Sequence, residues 1–169
     1  MRNQCYKAFS LIELLCCITL LSIFALVAMP AFGQWIQRNH IESQRDLLHT
    51  QLNQARATSV LHNRDVDACG SSNGLTCDNQ WNHGWLLHYP DTNQLISQQQ
   101  LTSEDHLRWA GARPVIRFHS NGTSPLGNGR FYLCDASGKV VAQIVISRQG
   151  RLRQVAGLEP NQNPTTRCH

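Results

Sequence analysis

From residue 9 to residue 29 the chain is apolar at every position except Ser10, Glu13, Thr19 and Ser22. As a helix this run extends about 32 Å at 1.5 Å per residue, enough to cross a bilayer core. Residues 34–63 contain no Gly or Pro, and Ile41, Leu48, Leu52 and Ala55 recur at helical spacing, flanked by Leu47, Thr58 and Leu61. A coiled coil shows a related pattern, but this stretch is too short and too weakly heptad. The reading is one helix over 9–63, membrane-spanning over about 9–30, whose second half packs on the C-terminal part of the chain. Its polar remainder (Gln51, Asn53, Gln54, Arg56) is expected to face water or other subunits.

Beyond residue 63 the period changes from 3.6 to 2. Residues 64–69 alternate, and 70–84 are rich in turn formers. Strands are expected at 85–89, broken by Pro90-Asp91, and at 113–119, ended by Ser120-Asn121-Gly122. Further strands are expected at 129–134, before the turn 135–138, and at 139–147, with 151–155 closing the sheet. The tail has loop composition. The fold class is therefore α+β, a long N-terminal helix packed on a small, mainly antiparallel β domain over 64–169.

Hydrophobic content of 41% and charged content of 15% exclude a disordered chain. Arg2 and Lys7 precede the apolar run, which places the N-terminus in the cytoplasm and the β domain outside. An ordinary cleaved signal fits poorly, since a cut after Ala28 has Leu26 at the upstream small-residue position. Of seven cysteines, Cys5 precedes the apolar run, while Cys16 and Cys17 lie inside it as small apolar residues. Cys69, Cys77, Cys134 and Cys168 remain outside, an even number in an oxidising compartment. Four cysteines allow three pairings. The expected one joins Cys69 to Cys77 across a short loop and Cys134 to Cys168, tying the tail to the sheet. Zinc is the rival, but no C-x-x-C or H-x-x-x-H spacing occurs, and the eight histidines are scattered. No P-loop, G-x-G-x-x-G or G-x-S-x-G occurs, nor any paired acid/base constellation. The expectation is a non-enzyme with no cofactor, no metal and no small-molecule substrate.

Glu13 needs a reason. A carboxylate at that depth costs about 2.5 kcal/mol or more. A basic leader ending in Ala8, followed by Phe9-Ser10-Leu11-Ile12-Glu13-Leu14-Leu15, resembles the processing site of type IV prepilins and pseudopilins. The resemblance implies that residues 1–8 are a leader removed by a prepilin peptidase between Ala8 and Phe9, with N-methylation of Phe9. Ala8 stands where the family usually has Gly, and Pro30 where pilin helices commonly bend. Glu13, four residues past the new terminus, can then pair with the amine of a neighbouring subunit's Phe9, turning a cost in the monomer into a register for assembly. The alternative is a hydrogen-bonded Glu in an ordinary membrane anchor.

A second likeness lies further along the chain. "ARATSVLHNRDVDAC", then Cys77, Trp81 and "HGWLLHY", is similar to the minor-pilin and pseudopilin family typified by FimT and GspH. Charge bears on which kind. Residues 9–105 carry four Arg against nine Asp and Glu, a net −5, whereas 106–169 carry eight Arg and one Lys against Asp135 and Glu159, a net +7. Such polarity suits a polyanion, although a solvated face or an acidic pilin neighbour is the bland alternative. In "SRQGRLRQ", Gly150 marks a hairpin turn, and Arg151 and Arg153 fall on one face with Arg148 across the turn. The element resembles the GRxR motif of DNA-binding FimT-type pilins. That resemblance implies a minor pilin that binds extracellular DNA in natural transformation, with Lys139, Arg130 and Arg167 as second-rank contacts. Its partners would be DNA, other pilins, the peptidase and the inner membrane, with passage through the periplasm to an extracellular pilus. The rival is a structural minor pilin or type II secretion pseudopilin that primes assembly without touching DNA. Glu13→Ala is expected to leave the leader cleavable yet impair entry into the filament, read by N-terminal sequencing beside quantification of the subunit in sheared pili; normal incorporation would remove the assembly role.

Overall fold

The computed structural model describes residues 10–102, 106–160, 162–163 and 168. The element order is α1 (Leu11–Leu61), β1 (Val66–Gly70), β2 (Gly84–His88), β3 (Leu95–Gln100), β4 (His106–Gly111), β5 (Ile116–Phe118), β6 (Gly129–Cys134), β7 (Val140–Ile146) and β8 (Leu152–Ala156). The chain divides into two compact units, Met1–Gln37 and Arg38–His169. In the first, the described side chains from Ser10 onward are exposed, apolar ones included, as a segment made for lipid or for neighbouring subunits requires.

In the second unit, Ile41, Leu48, Leu52 and Ala55 form the buried stripe of α1. Ser59 continues it, fully buried, with its hydroxyl bonded back to the Arg56 carbonyl. The helix stops at Asn63, whose left-handed φ of 50° lets the Arg64 amide reach the Ser59 carbonyl and the Asn63 amide reach Val60. This is a Schellman cap with Asn in the usual glycine position. Arg64 then stacks over the Tyr89 ring at 4.1 Å and pairs with Asp91 at 2.7 Å, while Tyr89 Oη meets His62 Nδ1 at 2.5 Å. These contacts pin the helix end to the turn after β2.

The sequence suggested one sheet; there are two, each of four antiparallel strands. One runs β3-β2-β1-β5 and the other β4-β6-β7-β8. The difference comes from β3 and β4, which the alternation did not reveal. Strand β3 ends in three glutamines, poor strand formers held by backbone pairing of Gly84 with Gln100 through Leu87 with Ser97. Strand β5 is shorter than the expected 113–119, beginning at Ile116 beyond Pro114, which has no amide to donate. The helix stripe and both sheets share one apolar cluster, with Trp85 and Phe118 from one sheet and Phe131 and Ile144 from the other fully buried. Gln51, expected to face water or other subunits, instead accepts the indole hydrogen of Trp85.

Two disulfides sit on this frame. Cys69–Cys77 ties β1 to the loop before β2, with Cα atoms 5.6 Å apart, and Cys134–Cys168 ties β6 to the tail, with Cα atoms 6.0 Å apart. Leu52→Ala, at the centre of the cluster, is expected to lower unfolding free energy by about 2–5 kcal/mol. Leu61→Ala, on the exposed end of the helix, should change it by less than about 0.5 kcal/mol. Denaturant unfolding of the full chain in detergent, followed by tryptophan fluorescence, would separate the two.

Candidate nucleic-acid interface

The β7–β8 hairpin builds the site. Its strands pair Ile146 with Leu152 and Val145 with Arg153. In the connection, the Gly150 amide donates to the Ser147 carbonyl at 2.9 Å and the Ser147 amide to the Arg151 carbonyl at 3.0 Å. The Arg151 amide also donates to Ser147 Oγ at 3.1 Å. Gly150 has φ of 72°, the left-handed region that favours glycine, and an added Cβ would lie 2.2 Å from the Gly122 carbonyl oxygen.

That closeness exists because the turn is docked. The Ser124 amide donates to the Arg148 carbonyl at 2.9 Å. Arg56, from α1, donates to the Gly122 carbonyl at 3.0 Å and to the Gln149 carbonyl at 3.4 Å. One guanidinium thus joins the helix, the 120–124 turn and the hairpin tip. The sequence pattern put Arg56 on the water-facing side. It is half-buried, because the turn folds back over the helix flank next to Ala55.

Leu152 packs against the core, and Arg151 and Arg153 lie exposed to either side of it. Arg148 and Arg151 are exposed, and among the described residues neither side chain has a carboxylate partner. Arg153 differs. It donates to Glu159 Oε1 at 2.7 Å, while Arg130 Nη1 donates to Glu159 Oε2 at 2.5 Å. These hydrogen bonds, Arg153's first and then Arg130's, hold the Glu159 carboxyl below the usual range. The clamp is therefore in place at neutral pH and is lost only as pH falls through that lowered value. One row along the same face Gln143, fully buried, accepts from Arg130 at 3.3 Å and donates to the Gly157 carbonyl at 2.5 Å and Gln162 Oε1 at 2.8 Å.

Two sequence families match the chain. Residues 44–150 match the family described as type II transport protein GspH, and residues 3–29 match the prokaryotic N-terminal methylation motif. The chain belongs to the GspH family. It is a pilin-like subunit of the minor pilin and pseudopilin type, with the motif for prepilin peptidase processing and an apolar helix for the inner membrane before assembly with other pilins. Two crystal structures of the type IV minor pilin FimU from Pseudomonas aeruginosa (strain PAO1) share the fold. One, in space group P21, is 20% identical with a TM-score of 0.58, over 80% of this chain and 99% of that one. The other, in space group P65, is also 20% identical with a TM-score of 0.57, over 76% and 99%. No curated protein matches the sequence.

Not every expected residue of this GspH-family chain joins the hairpin. Lys139 is exposed just before β7, at the end opposite the hairpin turn that carries Arg148, and about 23 Å of strand separates the two ends of β7 at roughly 3.3 Å per residue. Arg130 lies on β6, engaged with Glu159 and Gln143. Ala8, Phe9 and Arg167 lie outside the described residues, and Glu13 lies exposed in the first turn of α1. Arg56, Gln143 and Glu159 were missed. The charge count held a signal for the last, since Glu159 is one of only two acids after residue 106 in the sequence. Cys69, Cys77 and His88 bring ligand atoms close together, but the two sulfurs are bonded to each other, so neither offers a thiolate to a metal.

Gly150→Ala is expected to destabilise the protein by about 1–3 kcal/mol through backbone strain. Gly150→Asn should recover little of this, because the close approach is to a carbonyl oxygen whatever φ the residue tolerates. Thermal unfolding of the parent and both variants checks both statements.

Proposed function

We propose that this minor pilin binds extracellular DNA without sequence preference, through Arg148, Arg151 and Arg153, and supports DNA uptake in natural transformation. The observation that carries the reading is the hairpin tip. Arg148 and Arg151 stand exposed, without a carboxylate partner among the described residues, on a turn braced by Gly150, Ser124 and Arg56. Holding two cations away from their counter-charges has no benefit for stability. It leaves both guanidinium groups desolvated little and ready for phosphate oxygens, which they can grip with two parallel hydrogen bonds. The net +7 of residues 106–169 adds a longer-range pull on a polyanion. Contacts of this kind go to the backbone and carry no sequence information. Binding by one subunit is then weak and salt-sensitive, and several copies along a filament would raise it.

The second reading is a structural subunit that primes filament assembly. The match to a type II transport protein favours it, because that description is of secretion. Binding of the full chain in detergent to a mixed-sequence duplex, measured against salt, discriminates. Three phosphate contacts give a slope of log affinity on log salt of about −2.7, from about −0.9 per contact. Arg151→Gln or Arg148→Gln should weaken binding to all sequences alike and flatten the slope by about 0.9 each, with Lys rescuing in part. A folded Arg148→Gln/Arg151→Gln protein that binds as tightly as the parent would leave the hairpin a solvated loop and the structural reading in its place.

A further inference from the structure

We infer that Arg130 and Arg153 form a second phosphate site on the outer face of the β4-β6-β7-β8 sheet, and that Glu159 is its tethered occupant, displaced by a phosphate of bound DNA. The inference rests on the DNA-binding reading above and extends that surface from the hairpin tip across the sheet. The strand register supplies the geometry. Ala110 pairs with Arg130, Arg130 with Val145, and Val145 with Arg153, so one cross-strand row carries both arginines on either side of Val145. They are two strand spacings apart, about 10 Å at the backbone. Glu159 reaches over that gap, giving one carboxylate oxygen to each guanidinium. A phosphate offers the same two oxygens to the same donors.

The site is built to survive the exchange. Gln143, fully buried in the next row of the same face, accepts a hydrogen bond from Arg130, so Arg130 keeps a partner when the carboxylate leaves. A groove of about 1020 Å³ opens beside the pair, lined by Ala110, Gly111, Tyr132, Arg130 and Glu159 itself. Arg153 is two residues from Arg151, so the row is continuous with the hairpin tip. Glu159 comes after the last strand, on a segment held to the sheet by the Gly157 amide to the Val141 carbonyl at 2.7 Å and, further on, by Cys134–Cys168. A displaced carboxylate therefore stays nearby and can return. Partly exposed ion pairs of this kind contribute little to stability, so an incoming phosphate with a flexible polyanion behind it can compete.

The test is a cycle of full-length proteins in detergent, each checked for thermal unfolding and for the intact cross-link, titrated with a mixed-sequence duplex at several salt concentrations. Glu159→Gln keeps the size and an oxygen acceptor while removing the competing charge. It is expected to tighten binding about tenfold while leaving the salt slope near that of the parent, because the parent already seats a phosphate at this row once the carboxylate is displaced. In the Arg130→Gln/Arg153→Gln background the same change should have no effect, because the carboxylate acts through those two arginines. A gain that persists in that background would be a general charge effect and would overturn the inference, as would no gain at all. If Glu159→Gln changes nothing while Arg151→Gln still weakens binding, the second site falls and the hairpin reading stands. If parent and Glu159→Gln are both folded and neither binds DNA, both fall. Glu159→Ala, with the tail still tethered by Cys134–Cys168, repeats the measurement should the Gln variant fold poorly.

Discussion

The burial of one stripe of α1, Ile41, Leu48, Leu52 and Ala55, under the inner faces of two sheets is the contact that makes the β domain possible. Neither four-stranded sheet has enough apolar surface of its own to be stable with its inner face in water. The stripe gives both sheets a common wall, and Trp85, Phe118, Phe131 and Ile144 close over it from both sides. Each further feature is set by that arrangement. The Schellman cap at Asn63 turns the chain off the helix, the Arg64–Tyr89–Asp91 contacts hold the turn after β2, and the β7–β8 hairpin lies where Arg56 can reach it.

The distribution of charge obeys a different logic from the distribution of apolar surface. Where Arg117 meets Asp67 at 2.7 Å, a buried carboxylate is neutralised and the pair is part of the sheet. Glu159 neutralises half of a basic row, and the hydrogen bonds from Arg153 and Arg130 favour its ionised form. At the hairpin tip no carboxylate answers Arg148 and Arg151 among the described residues. Three degrees of compensation thus occur, the first on the β3-β2-β1-β5 sheet and the other two on the β4-β6-β7-β8 sheet and its hairpin tip, and they grade from structure to a surface with unmet demand for anions.

The long helix, the buried stripe, the strands β1, β2, β6, β7 and β8, and the glycine turn were legible in the sequence, because each is a local pattern. A 3.6-residue period, a 2-residue period or a glycine beside polar residues reports the environment of its own segment. The strands β3 and β4 were not legible, since Leu95–Gln100 and His106–Gly111 owe their extension to partners across the sheet more than to their own side chains. The same cause lies behind the division into two sheets, which depends on which edges meet and leaves no mark on any single strand.

The arginine motif shows the same division at the level of the site. That Arg151 and Arg153 share a face with Leu152 opposed is already settled by the order of residues, because strand geometry alternates side chains whatever surrounds them. That the two arginines differ is a property of the folded chain: Arg153 lies within reach of Glu159 across a cross-strand row, and Arg151 does not. So is the bracing of the turn that presents them by Arg56, which stands over ninety positions before Gln149 in the chain. Periodicity is written in neighbours along the chain, whereas charge pairing falls off with distance in space, and only folding specifies those distances.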